Sequence, residues 1–489
     1  MFWNHTFWNH TLLGLAFTFF ATTIFAQDAG VKIGSRLELF VDQTLVDSSR
    51  NIDFRLKEPR DAGIAISFNE TWEGRFCGYS TVIKDGKRYL AYYRGMPEIG
   101  KPEVTCVAIS EDGIRWKKPR LDLHQLGRQK SGTNIILANA GDVTHNFSPM
   151  LDENPKAEAQ QKFKGIGGSA KSGLYAFASP DGIHWEKIQD EPVLKLNGWV
   201  FDSQNLAFWS ESEGCYVMYF RRVVKGIRAI ARSTSKDFIN WTSPVQMKYS
   251  DVNSTIPRFH LYTNQTQPYF RAPHIYLATP GRFLPGRRAI NAEQAKAIGV
   301  DKRYFGDISD AILMTSRGGN TYDIAYQRAL LRPGIGAENW VSRTNYPALG
   351  IVPTGKHQMS WFVNQNYGQK TAHLRRYEFR IDGLASASAD LSGGELTTKA
   401  IIKKGSDLVL NFATSAAGSV RVELQDANGK PIPGYELECC RPLIGNEIEY
   451  RVVWEESDST HTLDGKSIRI RFELKDAELF SYQFKDGSR

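Results

Sequence analysis

Ser110-Glu-Asp112-Gly113-Ile-Arg-Trp116, Ser179-Pro-Asp181-Gly182-Ile-His-Trp185 and Ser235-Lys-Asp237-Phe-Ile-Asn-Trp241 are three copies of one phrase, with a weaker echo at Ser316-Arg-Gly-Gly319-Asn-Thr-Tyr322. Their starts lie 69, 56 and 81 residues apart, so one structural unit recurs with insertions of variable length. Each copy follows an apolar β-run: Cys106-Val-Ala-Ile, Leu174-Tyr-Ala-Phe-Ala, Arg228-Ala-Ile-Ala-Arg and Ala311-Ile-Leu-Met. Asp supplies a side chain that bonds nearby backbone, and Gly takes positive φ without strain, which is the chemistry of a tight turn. The Trp three residues on folds back over that turn and enters the space between neighbouring sheets. Short strands with a recurrent turn-plus-Trp signature predict a β-propeller. A turn present in every unit cannot sit at one active site, so these Asp and Trp residues read as structural.

Working outward, the sequence gives five β-sheet units. The first holds Gly78 to Arg94 with a hairpin on Asp85-Gly86; the second runs from His145 to Trp185, the third from Phe201 to Trp241, and the fourth from Phe270 to Tyr322. Gln358-Met-Ser-Trp-Phe-Val and His373-Leu-Arg-Arg-Tyr-Glu-Phe-Arg make the fifth, with Leu37-Glu-Leu-Phe-Val expected to complete it and close the ring. Residues 291–299 read as a short helix inside an insertion. After the small-residue stretch Ala385 to Gly394 come alternating strands without the Asp-Gly-Trp phrase, a second all-β domain best read as a sandwich. The expected fold is therefore all-β: a signal peptide over 1–26, a five-bladed propeller over 27–384, and a β-sandwich over 385–489.

The signal peptide rests on the 14-residue apolar run Leu12 to Phe25, too short to span a bilayer comfortably, followed by Ala26. The mature chain is expected to be exported, periplasmic or secreted, with no membrane insertion. Five cysteines at 77, 106, 215, 439 and 440 form no zinc or Cys-x-x-Cys spacing, so no metal site and no disulfide framework are expected. The net charge of +8 comes without basic runs or a nucleic-acid motif, which excludes nucleic acid and suits an acidic or sulfated polysaccharide better. No cofactor is expected; a structural divalent ion in the funnel is left open.

In a propeller the innermost strands converge on the axis, so polar groups at the start of each unit share one funnel. The sequence offers Glu73 and Arg75, His145 and Asn146, then Asp202, Gln204 and Asn205, then Tyr269, Arg271 and His274, and finally His357, with Asp307 and Asp310 flanking a fourth-unit strand. Glu73 and Asp202 are the expected carboxylate pair for glycoside cleavage, with His145 and Asp310 as further catalytic candidates. Arg75, Asn146, Gln204, Arg271, His274 and His357 are the expected substrate contacts. No phosphate loop, Ser nucleophile elbow or Cys-x-Pro-x-Arg sulfatase motif is present.

The phrases Leu39-Phe-Val-Asp42, Trp72-Glu73, Tyr92-Tyr-Arg94-Gly95, Ser110 to Pro119, Phe201-Asp-Ser-Gln-Asn205 and Gly393-Gly-Glu-Leu-Thr-Thr-Lys399 resemble the five-bladed propeller glycoside hydrolases of families 32, 43, 68 and 117. The chain is most similar to an exported, family 32-like bacterial branch. That resemblance implies funnel carboxylates and, by analogy with family 117, a histidine acid. The Trp-Met-Asn-Asp-Pro-Asn and Arg-Asp-Pro elements of the fructosidases are missing, so sucrose or fructan cleavage is not implied. The expected activity is exo-acting hydrolysis of a terminal sugar, an anhydro-galactose or an anionic one, from algal or plant oligosaccharides and polysaccharides. The alternatives are a non-catalytic carbohydrate-binding propeller and a polysaccharide lyase.

Overall fold

A computed structural model describes residues 30–99, 102–125 and 132–487. The expected signal peptide lies outside the described residues. Almost all regular structure is β: among the described residues the α-helices are Val143–Asn146 and Ala292–Ala297. The second begins on Asn291, whose side chain accepts from the Gln294 backbone N–H while Gln294 reaches back to the Asn291 N–H. This reciprocal cap is what the 291–299 stretch encodes. No helix among the described residues is long and apolar enough to cross a membrane.

Most strands of residues 60–380 form antiparallel meanders, with Lys248–Tyr249 and Thr321–Tyr322 a separate parallel pair. The first is Gly78–Asp85, Arg88–Gly95, Val104–Ser110 and Ile135–Leu137. Ser148–Leu151, Phe163–Ser169, Gly173–Ser179 and Glu186–Lys187 make the second, and Leu206–Ser210, Cys215–Val224, Ile227–Ser235 and Val245–Gln246 the third. The fourth starts at Thr266–Tyr269; its second strand is split into Ala272–Ala278 and Gly281–Leu284 around Pro280, which has no N–H to donate. Tyr346–Pro353, Gln358–Gln365 and His373–Arg380 make the fifth. The first strands touch in succession, and Tyr346–Pro353 returns to Gly78–Asp85, with Leu349 bridged in parallel to Thr81.

The fifth meander is completed by Arg60–Ser67, paired with His373–Arg380, and not by 37–41. Glu38–Leu39 instead pairs with Tyr482 and Ser481. Leu37, Leu39 and Val41 pack toward the fourth and fifth meanders while Phe40 enters the C-terminal core. Alternation marked a strand buried on both faces but could not name its hydrogen-bond partner. The C-terminal sheet also takes in Val31–Gly34, Val46–Arg50 and Asp53–Leu56, beside Ala385–Ala389 and the two long strands Asp407–Asp426 and Ser467–Lys485. The strands of residues 31–56 thus pair with the C-terminal sheet and not with those of the ring. Its separate apolar core includes Phe412, Leu424, Trp454, Ile470 and Phe472.

The repeated phrase folds alike in three copies. Ser110 Oγ accepts from Gly113 N at 2.8 Å, and Asp112 Oδ1 from the backbone of Ile114 and Arg115. The same bonds recur at Ser179/Asp181 and Ser235/Asp237. Burial raises the Asp181 and Asp237 pKa, but the backbone donors prevail and hold both at about 2. The Trp side chains reach the preceding sheet: Trp116 meets Phe362 edge-on and Trp185 meets Tyr92. A Cβ on Gly182 would stand 2.5 Å from Tyr92 Oη, so its glycine serves close approach as well as positive φ.

Ring and C-terminal sheet are joined by a buried ionic cluster. Glu38 meets Arg317 at 2.8 Å, His274 at 3.2 Å and Arg36 at 2.6 Å, and Arg317 also holds Asp42. Burial raises the Glu38 pKa, but the His274 hydrogen bond and the Arg317 charge outweigh it, leaving the carboxyl at about 2. Because the folded-state value lies below the ordinary 4.5, this contribution is full above pH 4.5 and is lost as pH falls toward 2, by at most about 3 kcal/mol. Denaturant titrations across that window are expected to show a flatter acid limb for Glu38→Gln than for the wild type. Superimposable limbs would contradict the linkage.

Candidate active site

The mouth of the ring, where the first strands begin, is lined by strained backbone. Tyr79, Phe201, Gln265, Arg343 and Asn345 all have φ between 50° and 64°, a costly conformation for residues with a Cβ that clusters at functional sites. Below the mouth the axis is plugged. The fully buried Gln204 donates to Thr81 Oγ1 at 2.7 Å and Ser148 Oγ at 3.0 Å, and its Oε1 accepts from Gln265, which also donates to Pro347 O. Gln204 is therefore a structural crosspiece and not the expected substrate contact. Asn146 is likewise committed: its amide holds Gly168, Phe201 and Ser203, which fixes the loop carrying Asp202.

Above this floor lie two adjoining cavities, about 250 Å³ and 460 Å³, that share Glu103, His145 and Asp202. His145 stands at the end of the helix Val143–Asn146, half-buried, with Nδ1 2.8 Å from Glu103 Oε2 and Nε2 3.9 Å from Asp202 Oδ1. The bond to Glu103 makes Nδ1 the protonated nitrogen and turns Nε2 toward Asp202. Burial raises the Glu103 pKa, but the His145 hydrogen bond and the Arg94 charge bring it below the ordinary value, so Glu103 is ionised. Arg94 Nη1 approaches the imidazole between its nitrogens, at 3.2 and 3.4 Å. Asp202 is held at 2.5 Å by the buried Arg221 and is otherwise open, its side chain 54% exposed.

The inner cavity is walled by aromatic rings. Tyr79 meets His145 edge-on, with centroids 5.5 Å apart. Burial, then the neighbouring Tyr262 and Asp202, push its hydroxyl well above the usual phenol value, so it is a neutral donor. Arg221 lies over the Tyr262 ring at 4.7 Å, Arg94 over Tyr79 at 4.8 Å, and Arg343 over Tyr304 at 4.8 Å. Tyr346 also lines this cavity, and its buried hydroxyl has no partner among the described residues.

Of the expected residues, Asp202 and His145 meet at this site and Asn146 stands in the wall of the outer cavity; the others line neither cavity. Glu73 is fully buried, accepting from Tyr93 Oη and Lys118 Nζ at 2.6 Å each and from Glu70 N at 3.0 Å. It braces the first meander and lines neither cavity. Arg75 is turned to Glu98 at 2.7 Å. Asp310 forms a two-pronged pair with Arg282, its neighbour across the strands Gly281–Leu284 and Ile308–Ile312. Arg271 bonds Asp382 and Glu449, and His274 bonds Glu38, so both tie the ring to the C-terminal sheet. His357 is exposed, and its carbonyl accepts from Ile381 N.

The displacements of Arg271, His274 and His357 have one cause. In the fourth and fifth meanders the true first strands are Thr266–Tyr269 and Tyr346–Pro353. The segments taken as first are second strands, which start at the opposite end because a meander reverses at each turn. The same parity explains what sequence reading missed: Arg94 ends one second strand, Arg221 lies late in another, and Glu103 immediately precedes a third strand. Among the described residues no group of three or more His, Cys, Asp or Glu side chains is placed to hold a metal ion.

No protein-family profile and no curated protein matches the sequence. Among solved structures the chain is similar to a glycoside hydrolase at 11% identity and TM-score 0.45, over 66% of this chain and 92% of that one. It is also similar to a Schwanniomyces occidentalis fructofuranosidase complexed with fructosylnystose, at 12% and 0.38 over 86% and 96%. The catalytic domain of a Coprinopsis cinerea GH62 α-L-arabinofuranosidase is similar at 10% and 0.40, over 67% and 98%. These likenesses are too distant to bear on activity or substrate.

Proposed function

We propose that the chain is an exported, exo-acting glycoside hydrolase whose five meanders are the blades of a propeller, followed by a β-sandwich. The observation that carries this reading is the row Glu103, His145, Asp202 at the junction of two cavities. The inner cavity is sized for one terminal sugar and the outer for the rest of the chain, so the bond between them falls beside the row. His145, oriented by ionised Glu103 through Nδ1–H, acts as the imidazolium and gives its second proton, on Nε2, to the glycosidic oxygen as the C–O bond breaks. Asp202 takes the proton of the water that attacks the anomeric carbon, or itself attacks that carbon to give a glycosyl ester that water, deprotonated by His145, then hydrolyses.

A lyase would need Tyr79 as a base, and its raised hydroxyl pKa counts against that. The test is a panel of marine and plant oligosaccharides, red-algal anhydro-galactose oligosaccharides included, with products followed over time. One monosaccharide per cleavage, released from the non-reducing end, is expected. Internal fragments at early times would contradict exo action, unsaturated products would indicate a lyase, and binding without cleavage a carbohydrate-binding propeller.

A further inference from the structure

We propose that the terminal sugar held in the inner cavity carries an anionic substituent, a carboxylate or a sulfate ester, received by Arg343; this rests on the reading of that cavity as the sugar site. The cavity and its aromatic wall bring together four guanidinium groups, Arg94, Arg221, Arg228 and Arg343, against the carboxylates of Glu103 and Asp202. Asp202 is matched by Arg221, and Glu103 is engaged by His145. Arg228 contacts His260 and the Tyr262 face. Arg343 lines the cavity and donates to Tyr304 Oη at 3.0 Å, with its Nε buried and unpartnered; among the described residues it makes no ion pair. A guanidinium removed from water without a counter-charge is costly, and it persists where an anion completes it. The left-handed backbone at Arg343, φ 59°, marks a second cost borne at the same residue. A neutral terminal sugar would leave the unpaired guanidinium unexplained.

Titration calorimetry of the full chain at low salt tests this with D-galacturonate, D-glucuronate, D-galactose, D-glucose and the 6-sulfates of the two neutral hexoses. At least one anion is expected to bind tenfold or more tightly than its neutral parent. A uronate preference identifies a carboxylate ligand, and a 6-sulfate preference a sulfate. Arg343→Met should abolish the preference, bringing the favoured anion down to the affinity of its neutral parent. Arg343→Lys, which keeps the charge but loses the planar fork, should retain part of it and serves if the Met variant does not fold. Neutral sugars binding as tightly as every anion would overturn the proposal, as would a folded Arg343→Met that keeps the preference. Arg343-dependent uronate binding by a chain that cleaves nothing would remove the hydrolase reading and leave this one standing. Cleavage of neutral oligosaccharides without anion preference would do the reverse.

Discussion

Asp202→Asn is expected to lower kcat by a factor of about 10²–10⁴, the usual contribution of a positioned acid or base, with the melting temperature unchanged. Asp202 is half-exposed, and its one close ion pair is with Arg221, whose guanidinium can still donate to an amide oxygen. The amide keeps size and shape but can neither take a proton nor attack carbon. His145→Ala is expected to cost a similar factor, through loss of the proton donor. Steady-state kinetics on the oligosaccharide the wild type cleaves, with circular dichroism as the folding control, checks both. Full activity in either variant would remove that residue from the mechanism.

Glu73→Ala is expected to do the opposite, lowering stability by about 3–5 kcal/mol, as when one partner of a buried ion pair is removed. Glu73 terminates a buried chain in which Trp72 Nε1 donates to Asn134, Asn134 to Tyr93, and Tyr93 to the carboxylate. Lys118 closes it from the solvent side with its side chain 20% exposed and also bonds Ser67 O and Asn69, so its loss is cushioned and the lower half of the range is expected. Equilibrium urea unfolding measures the change. At temperatures where the variant is folded its kcat should match the wild type. A loss of kcat without loss of stability would return Glu73 to the catalytic site.

The contrast between Glu73 and Asp202 shows how far the sequence can be read. The Ser-x-Asp-Gly-x-x-Trp turns were legible because their bonds run between residues two or three apart, and three copies formed them alike. His145 and Asp202 were legible because each lies just before a true first strand, His145 in a one-turn helix and Asp202 in a loop. Arg271, His274 and His357 were misplaced because which end of a meander a residue occupies depends on strand parity, and parity fails when a short first strand such as Thr266–Tyr269 goes unrecognised. Glu103, Arg94 and Arg221 were missed for the same reason, since second strands end and third strands begin at the mouth. Glu73 lies near the right strand, but the direction of its side chain is set by Lys118 and Tyr93, 45 and 20 residues away.

The most direct test of the account is the leaving-group dependence of His145→Ala. For the sugar the wild type releases, its oligosaccharide is compared with its 4-nitrophenyl glycoside, whose leaving group departs without a proton. If His145 is the acid, the variant loses about 10²-fold or more in kcat/KM on the oligosaccharide and retains most activity on the nitrophenyl glycoside, while Asp202→Asn is impaired on both. Equal losses on the two substrates in His145→Ala would contradict a proton-donor role and, with it, the assignment of the Glu103, His145, Asp202 row as the catalytic centre.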